Sequence, residues 1–300
     1  MVEYLLPRRL DEALRALSER TDAVPVAGAT DVMVRMNLRG ERPPAALDLS
    51  RLRELAGWAP EPDGRRIRVG ALVPYTRLVD ELAGPLPGLV AAARTVGSRQ
   101  IRNRGTLGGA LGTASPTGDA HPALLACDAR VELSSVRGVR TVPVADFYAG
   151  PHRTVRRPEE LITAVLLPVA EAPQTYAKVG RRGAVVISTC SFALALWPSR
   201  GEVGTGMGAV ADTPRRAVEA ERFLGGELSS RGLWHTRGPL PEAVVRRFGE
   251  LAAAAADPAD DVRGTAAYRR HAVGVLARRT LARAWQDYRT DQGTWGIACA

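Results

Sequence analysis

The sequence predicts an α+β fold divided into two packed units, and three observations lead there. The chain has 300 residues, near the size at which one hydrophobic core divides into two. Segments with helical spacing of apolar residues are interspersed with short segments of period two. Apolar residues fill 45% of positions but aromatic ones only 5%, so Leu, Val and Ala must build both cores.

The first unit starts with a helix. RRLDEALRALSER follows Pro7 and places Leu10, Ala13, Leu14 and Leu17 on one face. AVPVAGATDV reads as a strand running into a glycine turn, with Thr30 and Asp31 free to cap a helix or bind a ligand. AALDLSRLREL gives a strand ending near Leu49, with Ser50 placed to cap a turn. In RRIRVGALVPYTRLVDEL, Ile67 and Val69 alternate with polar residues, and Thr76 marks the start of a helix. LAGPLPGL reads as a linker and LVAAARTV as a helix.

The stretch 97–118 carries too many glycines for a relaxed helix or a flat sheet, so its backbone must turn tightly or approach something closely. After it come a hairpin around Arg137 and Gly138 and a strand, ELITAVLLPV, stopped by Pro168 and read as an edge strand. The unit boundary falls near 170, giving residues 1–170, with subdivisions at about 1–57 and 58–170, and residues 171–300.

The second unit is itself α+β. It has an apolar strand from Ser188 to Trp197, a turn at Pro198–Gly201 and a strand through VGTGMGAV. A helix is expected in DTPRRAVEAERFLGG, capped by Asp212 or Thr213, with Pro214 in its first turn and Gly225 as its stop. PEAVVRRFGELAAAAA and YRRHAVGVLARRTLARAWQDY complete the helices, the last with Val273, Leu276, Leu281 and Trp285 on its apolar face.

Charge and cysteine usage exclude several function classes. The net charge of +9 is carried by arginine, since Lys178 is the sole lysine. The arginines mix with acids instead of forming a basic tail, so no nucleic-acid partner is expected. No segment has the length and apolarity of a membrane span. Cys127, Cys190 and Cys299 stand far apart without a CxxC, which excludes a four-thiolate iron–sulfur or zinc site and argues against a disulfide framework. MVEYLLPRRLDEAL lacks the features of a signal peptide, so a cytoplasmic location is expected.

Two segments are candidates for cofactor contact: AGATD at 27–31 and GTLGGALGTASPTGD at 105–119. Glycines admit close approach by a pyrophosphate, and backbone N–H groups with Thr30, Thr106 and Thr113 offer hydrogen bonds. The alternative is that both are tight turns between strands. GTGMGA at 204–209 only superficially matches a dinucleotide fingerprint and reads better as a strand packed closely on its neighbour. His121, His152, His235 and His271 form no metal-ligand pattern, and His121 reads as a turn histidine before Pro122. Lys178 with Arg181 and Arg182 suits a phosphate, a partner carboxylate or a solvated cluster. Ser115 lacks the context of a hydrolase nucleophile.

VAGATDVMVRM, ALDLSRLREL, IRVGALVPYTRL, RQIRNRGTLGGALGTASPTGDAHPALLACDARVEL, YAKVGRR, GMGAVADTPRRAVEAERFLGG and YRRHAVGVLARRTLARAW occur in this order along nearly the whole chain. Together they resemble the flavoprotein, or medium, subunit of the molybdenum hydroxylases, the group that contains carbon monoxide dehydrogenase and xanthine dehydrogenase. The resemblance implies a two-part FAD-binding domain of the vanillyl-alcohol-oxidase type, followed by a flavoprotein C-terminal α+β domain.

It also implies site residues for FAD: Ala27, Gly28, Ala29, Thr30 and Asp31 in the first loop, and Thr106, Gly108, Gly109, Ala110, Thr113, Ser115 and Asp119 in the second, with Lys178 added from YAKVGRR. Asp119 matches an aspartate near the adenosine and ribose side, and Thr113 a hydrogen-bonding threonine. Ala29 and Ala110 depart from the usual AGGT and GGN. No histidine lies in the first loop, so noncovalent FAD is expected, and no side chain is assigned a catalytic role. The implied partners are a molybdopterin-binding large subunit and a small subunit with two [2Fe–2S] clusters, with NAD+ or another acceptor taking the electrons. The alternatives are a stand-alone FAD oxidase or dehydrogenase and a flavin-free scaffold subunit.

Overall fold

A computed structural model describes residues 2–290, so Cys299 lies outside the described residues. Among the described residues three sheets carry the fold, with an additional short hairpin.

Strands β1 (Glu3–Leu5), β2 (Ala23–Val26) and β3 (Ala45–Asp48) form a parallel sheet in the order β1-β3-β2. Helix α1 (Leu10–Glu19) connects the first two, burying Ala13 and Leu17 against Ala45, Leu47 and Leu49. Helix α2 (Val32–Arg39) follows β2 and buries none of its residues.

The second sheet takes β4 (Trp58–Pro60), β5 (Arg66–Gly70), β6 (Arg130–Ser135) and β7 (Gly138–Pro143). Beyond the hairpin of β8 (Tyr148–Gly150) and β9 (Arg153–Thr154), it gains β10 (Leu161–Pro168), in the antiparallel order β4-β5-β10-β6-β7. The expected edge strand is therefore central: β10 pairs with β5 on one side and β6 on the other. Pro168 is compatible with this because it is the last residue of the strand, where a missing N–H costs no interior ladder bond. The apolar run of LITAVLLP, interrupted only by Thr163, whose buried hydroxyl is bonded to Ser134 and Glu132, is what a strand covered on both faces requires.

Between β5 and β6 lie helices α3 (Tyr75–Glu81), α4 (Pro87–Arg94), α5 (Arg99–Arg104), α6 (Leu107–Thr113) and α7 (Ala120–Ala126). The linker-like LAGPLPGL thus contains a helix start, with Pro87 in the first turn of α4. Thr76 lies inside α3, which starts after Pro74, and its hydroxyl donates to Asn103. The glycine-rich stretch corrects the expectation of a non-helical backbone, since Gly108, Gly109 and Gly112 belong to α6. The expected close approach is present: a Cβ at Gly108 would lie 2.5 Å from the Cβ of Ala71. Tertiary contact has overridden the low helix propensity of glycine.

The third sheet is an antiparallel meander of β11 (Gln174–Val179), β12 (Cys190–Trp197) and β13 (Glu202–Gly208). Along β12, Phe192, Leu194 and Leu196 enter the core of the C-terminal helices, whereas Ala193, Ala195 and Trp197 enter the core shared with α4 and α7. Period-two alternation between two apolar layers makes this strand buried throughout. GTGMGA does bring β13 against its neighbour: Cβ atoms at Gly204 and Gly206 would fall 2.0 Å and 1.9 Å from the carbonyl oxygens of Ala126 and Pro122 in α7.

Helices α8 (Val218–Ser230), α9 (Leu233–Thr236), α10 (Glu242–Ala254) and α11 (Ala266–Thr290) close the second unit. Helix α8 starts later than its sequence signal suggested, because Arg215 exchanges two backbone hydrogen bonds with Met207 and so belongs to the rim of β13. The Thr205 hydroxyl accepts from the N–H of Ala217 at the helix entrance. Gly225 lies within α8 instead of stopping it.

Candidate functional site

The first glycine segment leaves the parallel sheet at Val26 and turns into α2. A Cβ at Gly28 would lie 1.7 Å from the Arg104 carbonyl oxygen, so only glycine admits this approach of the 27–31 turn to the end of α5. Ala29 adopts φ 64°, the left-handed conformation normally left to glycine. Among the described residues, the backbone N–H groups of Gly28, Ala29, Thr30, Asp31 and Val32 make no hydrogen bond to the chain. They form a set of unused donors at the start of α2.

The second segment is set by Gly105, whose carbonyl accepts from the N–H of Tyr75, and by Thr106, whose hydroxyl caps α6 by accepting from the N–H of Gly109 at 3.0 Å. Gly108 donates its N–H to Ala71, fastening α6 to the end of β5. The close contact of Gly28 with Arg104 and the Thr113 hydroxyl donating to Asp31 at 3.4 Å bring the two segments together.

They share one cavity of about 710 Å³, within the range of small-molecule and cofactor sites. Ala27, Gly28, Ala29, Thr30 and Asp31 line it from one side, and Thr106, Gly108, Gly109, Ala110, Thr113, Ser115 and Asp119 from the other. Tyr75, His121, His152, Arg35 and Arg156 complete much of the wall. None of these five follows from a local motif, because each comes from a different element. Arg156 spends its guanidinium on the carbonyls of Arg157, Pro158 and Glu160, and burial holds its pKa down. Burial pushes the phenols of Tyr75 and Tyr148 well above their ordinary range, so both stay protonated.

Lys178 is not among the residues that line this cavity. Its ammonium donates to Asp119 Oδ2 at 2.8 Å, Thr95 O at 3.0 Å and Val186 O at 3.1 Å, which uses all three of its protons. A lysine this buried needs a counter-charge, and Asp119 supplies it. The other Asp119 oxygen accepts from Tyr176 at 2.9 Å and Ser188 at 2.6 Å. Asp119 therefore borders the cavity while its carboxylate ties the second segment to β11 and to the loop after it. Arg181 and Arg182 bond the carbonyls of Val262 and Val185.

His121 is no surface turn residue. It lies in the first turn of α7, fully buried, with Nδ1 2.8 Å from the Tyr148 hydroxyl and, among the described residues, no partner for Nε2. Burial lowers its pKa to about 4, so the imidazole is neutral at physiological pH. Among the described residues no group of His, Cys, Asp and Glu is arranged to hold a metal ion, and no helix is long and apolar enough to cross a membrane.

Comparison with known proteins matches this architecture. A family described as the FAD binding domain in molybdopterin dehydrogenase covers residues 1–170, and the CO dehydrogenase flavoprotein C-terminal domain covers residues 174–284. The glyceraldehyde dehydrogenase medium chain of Sulfolobus acidocaldarius is 32% identical, over 93% of this chain and 96% of that protein. The carbon monoxide dehydrogenase medium chain of Afipia carboxidovorans is 33% identical, over 94% and 96%. A solved carbon monoxide dehydrogenase from Hydrogenophaga pseudoflava superposes with a TM-score of 0.86 at 29% identity, covering 96% of this chain and 98% of its counterpart.

Fold and family together define a two-domain α+β flavoprotein architecture, of the vanillyl-alcohol-oxidase type in its FAD-binding part. Within that class, the chain belongs to the FAD-binding medium-subunit family of the molybdenum hydroxylases, related to carbon monoxide dehydrogenase and xanthine dehydrogenase.

Proposed function

We propose that this chain is the electron-transfer subunit of a molybdopterin-dependent hydroxylase or dehydrogenase. It binds FAD noncovalently, receives electrons from the [2Fe–2S] clusters of a small partner subunit and delivers them to NAD+ or another acceptor. A separate large subunit with the molybdopterin cofactor oxidises the substrate.

The observation that carries this reading is the cavity shared by the two glycine segments. Its residues fit a flavin nucleotide. The unused N–H groups of Gly28–Val32 suit a pyrophosphate, and the glycines at 28, 108 and 109 leave room for close backbone approach. We assign the cofactor contacts to residues 27–31 and to Thr106, Gly108, Gly109, Ala110, Thr113 and Ser115, with Asp119 bordering the site.

FAD supplies a centre that accepts and releases electrons, and the protein supplies position and electrostatics. Backbone donors hold the charged end of the cofactor, the capped start of α6 fixes the second wall, and the Asp119–Lys178 pair keeps the loop after β11 against it. Electron transfer of this kind needs no acid, base or nucleophile from the chain.

The flavin-free alternative draws on Ala29 and Ala110. At Ala29 the backbone nevertheless keeps the left-handed conformation of a glycine turn, and this favours the flavin-bearing reading. The deciding experiment is the absorption spectrum of the purified chain before and after addition of FAD, with the released cofactor identified after denaturation. Oxidised-flavin bands and released FAD are expected. A colourless chain that takes up no FAD overturns the reading. Oxidation of small molecules by the chain alone would favour a stand-alone oxidase or dehydrogenase.

A further inference from the structure

Helix α2 leaves the first cavity turn with its apolar side chains uncovered. It reads VMVRMNLR, five of its eight residues are apolar, and none is buried. Met33, Val34 and Leu38 are 46%, 52% and 81% exposed. Val34 and Leu38 stand four residues apart on one face, with Met33 beside them. Among the described residues no strand or helix packs broadly against this helix, yet helices shorter than about 12–15 residues are marginal in water without tertiary contact. The other helix of the same sheet, α1, shows the covered case, since it buries Ala13 and Leu17.

Arginine surrounds this uncovered face. Segments 32–42 and 98–104 hold six arginines and one acid, Glu41, whereas the whole chain has 41 basic residues and 32 acidic ones. Arg35 and Arg39, also four apart, flank the apolar face. Arg35 meets Glu41 only at 3.7 Å, and Asp31, just before the helix, is bonded to Thr113. The exposed side chains of Arg39 in α2 and of Arg99 and Arg104 in α5 have no hydrogen bond or ion pair among the described residues. The two helices are neighbours at the cavity. Gly28 meets the Arg104 carbonyl, and Val32, Arg35 and Ile101 line the same wall.

We infer that Met33, Val34 and Leu38, with the arginines beside them, form the docking surface for the electron-donating [2Fe–2S] subunit, whose matching face is an apolar patch rimmed by carboxylates. The inference rests on the electron-transfer reading and gives it a surface. Charge selects the sign of the partner, because an apolar face rimmed by arginines without counter-charges is complemented by acids. A second copy of this chain is disfavoured, since a two-fold contact would set the same arginines against each other. Position selects the role of the partner. Helix α2 starts at the cavity wall, so a protein seated on it stands beside the flavin nucleotide, and electron transfer weakens steeply with distance.

The test uses the whole complex, purified through a tag on this chain from cells that make all its subunits. Iron, inorganic sulfide and FAD are measured per chain. The unsubstituted chain is expected to carry a [2Fe–2S] polypeptide. Leu38→Glu and Arg39→Glu are expected to weaken its retention about tenfold while keeping FAD, since neither residue lines the cavity. Rising salt should release the polypeptide from the unsubstituted complex, and should do so earlier in Arg39→Glu. A photo-reactive benzoylphenylalanine in place of Leu38 is expected to cross-link to the [2Fe–2S] polypeptide.

Undiminished iron and sulfide in both variants would overturn the inference. So would a cross-link to the molybdopterin subunit or to a second copy of this chain, or no cross-link at all. If a variant loses FAD together with iron, the cross-link in the otherwise unaltered complex decides. An unsubstituted complex that carries FAD but no iron–sulfur polypeptide overturns the electron-transfer reading itself, and the docking surface with it.

Discussion

The ammonium of Lys178 and the carboxylate of Asp119 are joined at 2.8 Å, with side-chain exposures of only 11% and 10%. The pair links β11 of the C-terminal unit to the second cavity segment, and Lys178 also holds Val186 through its carbonyl. Removing one member of a buried ion pair leaves the other charge without compensation, which costs more than the pair itself contributes. Lys178→Met should therefore destabilise the chain by about 3 kcal/mol in chemical denaturation. Adding Asp119→Asn should restore part of that loss, giving a coupling of at least about 1 kcal/mol. Additive losses would show that the two side chains act separately.

Ala29 sits at φ 64° in the first cavity turn. An L-residue there carries a steric cost of about 1–2 kcal/mol, partly offset in any glycine replacement by the greater freedom of the unfolded chain. Ala29→Gly should thus stabilise the protein by about 0.5–1 kcal/mol, measured by urea denaturation, and should not weaken FAD binding. Ala29→Val should do the reverse, because a branched side chain fits the left-handed region poorly.

Two glycine-to-alanine changes should have opposite signs. At Gly28 the new methyl meets the Arg104 carbonyl at 1.7 Å, so Gly28→Ala must push the two cavity segments apart. A loss of about 2–4 kcal/mol and failure to retain FAD are expected. Gly226 is exposed inside α8 and its methyl would meet nothing within 4 Å. Gly226→Ala should stabilise by about 1 kcal/mol through helix propensity. Thermal melts of both variants and the parent test the pair of signs.

The long-range partners decide what sequence pattern revealed and what it hid. Ile67 and Val69 showed their strand because alternation is local, and the face of α11 with Val273, Leu276 and Leu281 showed its helix for the same reason. The glycines at 204 and 206 showed a close approach but not that α7 makes it. Pro168 drew attention to a sheet edge, although the mainly apolar run before it belonged to a central strand. The position of Lys178 depends on Asp119, which lies 59 residues away in sequence, and no spacing rule connects them. His121 had no periodic signature at all. Its burial became visible only in the fold, where Tyr148 of the β8–β9 hairpin supplies the partner for Nδ1.

His121 also makes a pH prediction whose sign is fixed. Burial lowers its pKa from an ordinary 6.5 to about 4 in the folded chain. Between those values the unfolded state binds a proton that the folded state refuses, so stability falls as pH falls through this window. The slope from this one group approaches about 1.4 kcal/mol per pH unit. Above pH 6.5 both states are neutral and the contribution is constant. Asp261, whose carboxyl is held low by hydrogen bonds from Arg269 and Arg263 that outweigh its desolvation, adds acid sensitivity of the same sign at lower pH. Urea denaturation of the parent and His121→Gln from pH 7.5 to 4.5 separates the two groups, since glutamine does not titrate. The parent should lose stability relative to the variant as pH drops below 6.5, and parallel curves across that range would show that His121 is protonated as readily in the folded chain as in the unfolded one.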